Sequence, residues 1–203
     1  MVRRPRGRPR SFDETATLEA ALTLFWSRGL DGTSLDDIAA ATGVARPSLT
    51  NAFGTKEDLF VRTLNRFASE LNTSFQVSFR GDAPASDVLR HIYAAALDTY
   101  YGGPDGPRGC FAISVATAEA TTRPKVRAAL AAILADIDDG FRTVFEHARR
   151  RGGLPAGADP AARARLAAAV LHSLAIRARA GEPRTELEAA LPAMIALICG
   201  PEA

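Results

Sequence analysis

An all-α fold is what this sequence predicts, on three observations. Apolar residues recur at spacings of three and four nearly everywhere after residue 12. The alternating runs that would mark strands are almost absent. Gly and Pro fall between the periodic stretches, where they stop one helix and release the next. With 203 residues, 47% of them hydrophobic, the chain can fill one long domain or two short ones around a real core. About nine helices are expected.

The first helix is predicted to open at Ser11, with a capping box from Ser11 to Glu14, and to carry an apolar stripe of Leu18, Ala21, Leu22, Phe25 and Trp26. Gly29 stops it. A short helix follows Thr33 and Ser34, with Asp37 placed to answer Ser34, and buries Leu35, Ile38 and Ala39. Gly43 breaks that helix, and a second short one is expected from about Arg46 to Ala52. Thr55 with Asp58 caps a longer fourth helix bearing Phe60, Leu64, Phe67, Leu71 and Phe75. After a G-D-A-P loop beyond Arg80, periodicity resumes with Val88, Ile92 and Ala96. Helices are then expected at about 108–121, 124–151, 159–180 and 184–199. The longest places Val126, Leu130, Ile133, Ile137, Phe141, Val144 and Phe145 on one side. Pro192 removes one hydrogen bond from the last helix and is expected to kink it.

Charge distribution narrows the partners. The net charge is +2, but residues 1–10 hold Arg3, Arg4, Arg6, Arg8 and Arg10 with no acid, which leaves −3 (two less five) on the remaining 193 residues. A basic arm on a near-neutral body suits a polyanion. Nucleic acid leads, because the arm has no apolar face to enter lipid and no membrane partner is expected. The chain shows neither a secretory signal pattern nor a run of eighteen apolar residues, so a cytoplasmic location is the expectation. Cys110 and Cys199 fit neither a disulfide framework nor a zinc pattern and read as reduced thiols.

The stretch from Thr33 to Leu59, T-S-L-D-D-I-A-A-A-T-G-V-A-R-P-S-L-T-N-A-F-G-T-K-E-D-L, carries the functional signal. Two short helices about a glycine turn, with apolar Leu35, Ile38, Ala39, Val44, Leu49 and Phe53, form the pattern of a helix-turn-helix. Its second helix can project an outer face into a major groove. The segment resembles the TetR family signature from the Thr33-Ser34 cap through D-I-A, G-V and L-x-x-x-F to T-K-E-D-L-F. The likeness extends upstream to G-R-P-R-S-F-D and Gly29, and downstream to R-G-C-F at 108–111 and L-A-I-R-A-R-A-G at 174–181.

That resemblance implies a homodimeric regulator, usually a repressor. Its recognition helices read a pseudo-palindromic double-stranded DNA operator, and a small-molecule effector loosens its grip. It also implies an arm at 1–10, a DNA-binding domain at 11–56 and an effector-binding and dimerisation domain at 57–203, with no cofactor. Arg46, Pro47, Ser48, Thr50 and Asn51 match recognition-helix positions that face DNA, and Lys56 matches a lysine that contacts phosphate. Thr33 and Ser34 lie where the motif's first helix meets the backbone. The family commonly has Tyr at the position of Thr50 and His or Tyr around Asn51 and Ala52. The small residues here shift direct readout toward Asn51, which can pair with adenine, and Arg46, which can pair with guanine. The alternatives for these two are a helix-end cap and a solvated charge. Arg6, Arg8 and Arg10 belong to an arm that resembles an AT-hook and suits a narrow minor groove; a solvated tail would also raise affinity by counterion release.

For the effector pocket the candidates are Phe75, His91, Tyr93, Tyr100, Cys110, Phe111 and Phe141, since the family's central helices enclose the effector. Cys110 follows Pro107, Arg108 and Gly109 at an expected helix start, where dipole and cation would lower a thiol pKa and favour electrophile or oxidant sensing. The other reading is a small buried hydrophobe. Dimerisation is assigned to Leu166, Val170, Leu174, Leu187, Leu191, Met194, Ile195 and Ile198 in two Ala-rich helices. Two further functions are open. An enzyme with Cys110 as nucleophile is disfavoured, because His91, His147 and His172 form no metal or phosphate-binding motif. An architectural protein for AT-rich DNA would not need so large a second domain.

Overall fold

The computed structural model describes residues 12–78, 83–104 and 106–200, without the side chains of 74–78. Nine α-helices and one π-helical segment make up these residues, and they contain no strand. The arm with Arg6, Arg8 and Arg10, and Ser11, lie outside the described residues.

Helix α1 spans Glu14–Arg28, so the expected start at Ser11 is corrected. Asp13 is the N-cap, its carboxylate accepting from the backbone N–H of Thr15 at 2.9 Å and Ala16 at 3.1 Å. Two carboxylate bonds to orphan amides outweigh the Ser11 alternative. Helices α2 (Leu35–Thr42) and α3 (Arg46–Phe53) follow. Ser34 and Asp37 close the expected capping box reciprocally. Gly43 ends α2 in the left-handed region at φ 69°, ψ 9°, where its N–H reaches the Ala39 carbonyl. A residue with a Cβ would be strained there.

Helix α4 spans Lys56–Ser78, opened by the Thr55–Asp58 exchange. Helices α5 (Ala85–Tyr101), α7 (Pro124–Arg150), α8 (Pro160–Arg179) and α9 (Arg184–Cys199) build the larger body. The helix expected at about 108–121 is shorter and irregular: a π-helical turn at Ala112–Ala116 runs into α6 (Thr117–Glu119). Helix α9 continues through Pro192, which lies on its exposed side.

One continuous core joins the small helices to the body. Phe25 from α1 meets Phe60 from α4 edge-on at 5.1 Å, and Trp26 meets Phe67 edge-on at 5.0 Å. Phe111 packs against Trp26, Phe60 and Phe67 at 5.7, 5.2 and 5.9 Å. Burying these five rings stabilises the joint, on the order of 1.5–3 kcal/mol for each side chain.

Candidate nucleic-acid interface and sensing region

Helix α3 is anchored by only two buried side chains, Leu49 and Phe53. Their spacing of four turns both to the inside, which leaves Arg46, Pro47, Ser48, Thr50 and Asn51 exposed on the outside. These five are the expected recognition-helix residues, and the fold brings them onto one outward surface. Pro47 stands at the second position of α3, where a missing N–H costs nothing. Arg46 donates from Nη1 to Asp36 Oδ2 of α2 at 2.7 Å, a partner the sequence reading missed.

The flanking candidates are placed differently. Ser34 is exposed at the start of α2. Thr33 is fully buried, its hydroxyl donating to the Gly29 carbonyl at 2.8 Å. Its hydroxyl ties the loop back to the end of α1. Lys56 likewise donates from Nζ to the Leu30 carbonyl at 2.6 Å and fastens the start of α4 to the α1–α2 loop. Lys56 is half-buried, and this bond takes one of the three donors of its ammonium.

Behind this surface a polar seam ties the small helices to the body. Trp26 Nε1 donates to the Arg108 carbonyl at 3.1 Å, and the Arg108 guanidinium lies 3.8 Å from the centre of the Trp26 ring. Arg179 Nη1 donates to the carbonyls of both Trp26 and Arg108. Gly109 allows the close approach: at φ 64°, an added Cβ would come within 2.5 Å of the Ala175 carbonyl and of Ser114 Oγ. Lower down, Glu119 accepts from the Leu30 N–H at 3.1 Å and pairs with Arg123, which also reaches Asp31 at 2.5 Å. Lys125 pairs with Asp58 at 2.6 Å. That ammonium, with the Thr55 hydroxyl and amide, holds the Asp58 carboxyl well below the usual range.

The pocket candidates divide. Tyr93 and Phe141 are brought together in the body, with ring centres 6.4 Å apart and the Tyr93 hydroxyl donating to the Ala167 carbonyl at 3.0 Å. Burial raises the Tyr93 pKa and, well above its ordinary value, that of Tyr100, which is hydrogen-bonded to Cys110. Phe111 belongs to the aromatic seam. His91 is exposed, with Nδ1 2.8 Å from the Asp87 carbonyl; it sits on the outer side of α5 and lines no interior space. The side chain of Phe75 lies outside the described residues.

Cys110 is 3% exposed, and burial pushes its thiol up to about 11, against the expected lowering. Desolvation outweighs the bonds from the Ile113 and Ala112 amides, so the neutral thiol is favoured. A cleft of about 330 Å³ that the sequence reading missed opens between α4 and α7, with Asn65, Ser69, Asn72 and Asp136 over Leu71 and Ile133. Its polar members lie on two helices whose apolar faces gave the only periodic signal.

The interface candidates divide too. Leu191 and Ile195 are buried within the protomer, and Leu174, Leu187 and Ile198 form the floor of a groove between α8 and α9. These two helices have apolar side chains on more than one face, and the inner face packs on the protomer's own body. The outer rim holds Leu166 at 55% exposure, half-buried Val170 and Met194, and Leu197 at 83% exposure, a residue the sequence reading had not singled out.

Comparison with known proteins gives this arrangement a family. Residues 18–63 match the family described as bacterial regulatory proteins, tetR family, and residues 85–194 match the tetracyclin repressor-like C-terminal domain. The HTH-type transcriptional repressor ComR of Escherichia coli is 28% identical over 180 residues, 89% of this chain and 86% of that protein. The HTH-type transcriptional repressor BdcR of the same organism is 32% identical over 107 residues, 53% of this chain and 54% of the relative. Among solved structures, a cysteine mutant of the TetR family transcriptional regulator CifR, complexed with 26-bp double-strand operator DNA, superposes with a TM-score of 0.81. It has 29% identity and covers 93% of this chain and 98% of its own. A TetR transcriptional regulator from Chloroflexus aurantiacus, at 24% identity and a TM-score of 0.78 over 92% of this chain and 94% of that one, shares the fold. With a helix-turn-helix in front, a helical body behind and the matched C-terminal domain covering more than half its length, the chain belongs to the TetR family of bacterial regulatory proteins.

Proposed function

We propose that this chain is a homodimeric transcriptional repressor that reads a pseudo-palindromic operator through α3 and releases it when an effector binds the helical body. The observation that carries the reading is the outward face of α3, where Arg46, Ser48, Thr50 and Asn51 stand exposed on a helix held by Leu49 and Phe53. Family members are regulators, so the chain acts on DNA by binding and not by catalysis. The CifR relative is complexed with operator DNA, which supports the same partner here. Residues 11–56 serve as the DNA-binding domain and 57–203 as the effector and dimer domain, acting in the cytoplasm where operators are found.

Two copies meet through the apolar rim of α8 and α9. Leu166 and Leu197 stand exposed beside half-buried Val170 and Met194, and this rim suits a two-fold helical contact. The effector enters the α4–α7 cleft or the Tyr93–Phe141 region, and the seam through Glu119, Arg123 and Lys125 carries the change to α2 and α3. Selection from random duplexes followed by footprinting tests the reading. One protected palindrome with half-sites about one helical turn apart, or a multiple of it, is expected. A ladder over AT-rich DNA would replace the repressor with an architectural protein.

A further inference from the structure

We propose that Asp36 is a positioning residue for DNA readout: it holds the Arg46 guanidinium so that one edge of the fork stays turned outward for a guanine. This rests on the operator-reading role of α3 given above.

The pair spans the turn of the helix-turn-helix. Asp36 stands in the first turn of α2 and Arg46 is the first residue of α3, and a single bond from Nη1 to Oδ2 at 2.7 Å joins them. The two helices share little interior, with Ile38 buried from one and Leu49 and Phe53 from the other. Both partners are mainly exposed, at 59% and 66%, so the bond adds little to folding. Its worth lies elsewhere.

A guanidinium is a planar fork of five N–H donors. With Nη1 held by Asp36, Nε and Nη2 still present the paired donors that guanine O6 and N7 accept together. A free arginine must give up rotamer freedom to make that contact, and one already tethered gives up less. The carboxylate has a cost as well. A negative charge in the first turn of α2, beside a surface that meets phosphates, repels DNA of every sequence. Asp36 therefore trades general affinity for discrimination at one base pair, and that trade is its signature.

The test uses the full-length protein with Asp36→Asn, Arg46→Ala and both changes together, in selections from random duplexes and in titrations of the selected site and its single-base variants. Asp36→Asn is expected to lower preference at one base pair per half-site by roughly tenfold while affinity for random duplex holds or rises. Arg46→Ala should lose the preference at that same base pair, and the double variant should lose no more than Arg46→Ala alone. Melting temperature should stay unchanged in Asp36→Asn, which separates positioning from a structural role. A uniform affinity change on all sequences, a lost preference at a different base pair, or additive losses in the double variant would overturn the proposal. A wild-type chain that selects no sequence would instead overturn operator reading itself, and Asp36 positioning with it.

Discussion

The outer face of α3 and the seam that joins α1 to the body are built on opposite terms. The face is a row of exposed, mostly small side chains, with a single ion pair among its named contacts and two buried anchors beneath it. The seam is crowded, with the rings of Trp26, Phe67 and Phe111 in mutual contact, a guanidinium stacked on Trp26, and a carboxylate that caps the Leu30 amide while bonded to Arg123. The difference teaches where rigidity is needed. A reading surface must leave its donors and acceptors unspent, whereas the joint that carries it must hold its angle to the body.

Breaking the seam should cost most. Phe111→Ala removes a fully buried ring shared by Trp26, Phe60 and Phe67 and is expected to destabilise the protein by about 3–5 kcal/mol in chemical denaturation. A loss below about 1 kcal/mol would show that the aromatic joint is not the anchor.

Next comes Glu119→Ala, which leaves the Leu30 N–H without its acceptor. It should cost about 1–3 kcal/mol, and Glu119→Gln, which keeps a carbonyl oxygen in place, should recover much of that loss. Equal losses in the two variants would assign the effect to charge alone.

A pH titration sharpens the comparison further. The Cys110 thiol has a folded pKa raised to about 11, so its neutral form is favoured by folding. The stability it contributes is complete below the unfolded thiol pKa and is lost as pH rises toward 11. Wild-type protein should weaken over that window, and Cys110→Ser should flatten the part of the slope below the tyrosine range. Identical slopes would remove Cys110 from the account. The smallest effect belongs to the face: Thr50→Ala should move stability by less than about 0.5 kcal/mol while weakening operator binding in the same preparation.

The legibility of the chain follows the same division. The Ser34–Asp37 and Thr55–Asp58 exchanges and the turn at Gly43 were readable because each closes within a few residues. The outward placement of Arg46, Ser48, Thr50 and Asn51 was readable from the apolar spacing of Leu49 and Phe53. The internal bonds of Thr33 and Lys56 were not readable, because a polar side chain near a motif can face solvent or a backbone carbonyl, and the carbonyls of Gly29 and Leu30 lie within reach only once α1, α2 and α4 have packed. Of the two readings open for Cys110, the structure favours the small buried hydrophobe over the lowered thiol. Its sequence neighbours suggest a thiolate, but the side chains that fold over it come from elsewhere and remove the water a thiolate requires.

By itself, then, the sequence determined the all-helical pattern, the helix-turn-helix, its turn, its caps and its reading face, since all of these follow from spacing and short-range bonds. Only the tertiary structure decided which apolar positions of α8 and α9 pack on the protomer and which stay exposed, because periodicity marks a residue as apolar without naming its neighbour. It alone joined Trp26 to Arg108, Leu30 to Glu119 and Trp26 to Arg179 across 82, 89 and 153 residues. Contacts over such separations depend on how whole helices pack, and no local pattern encodes them.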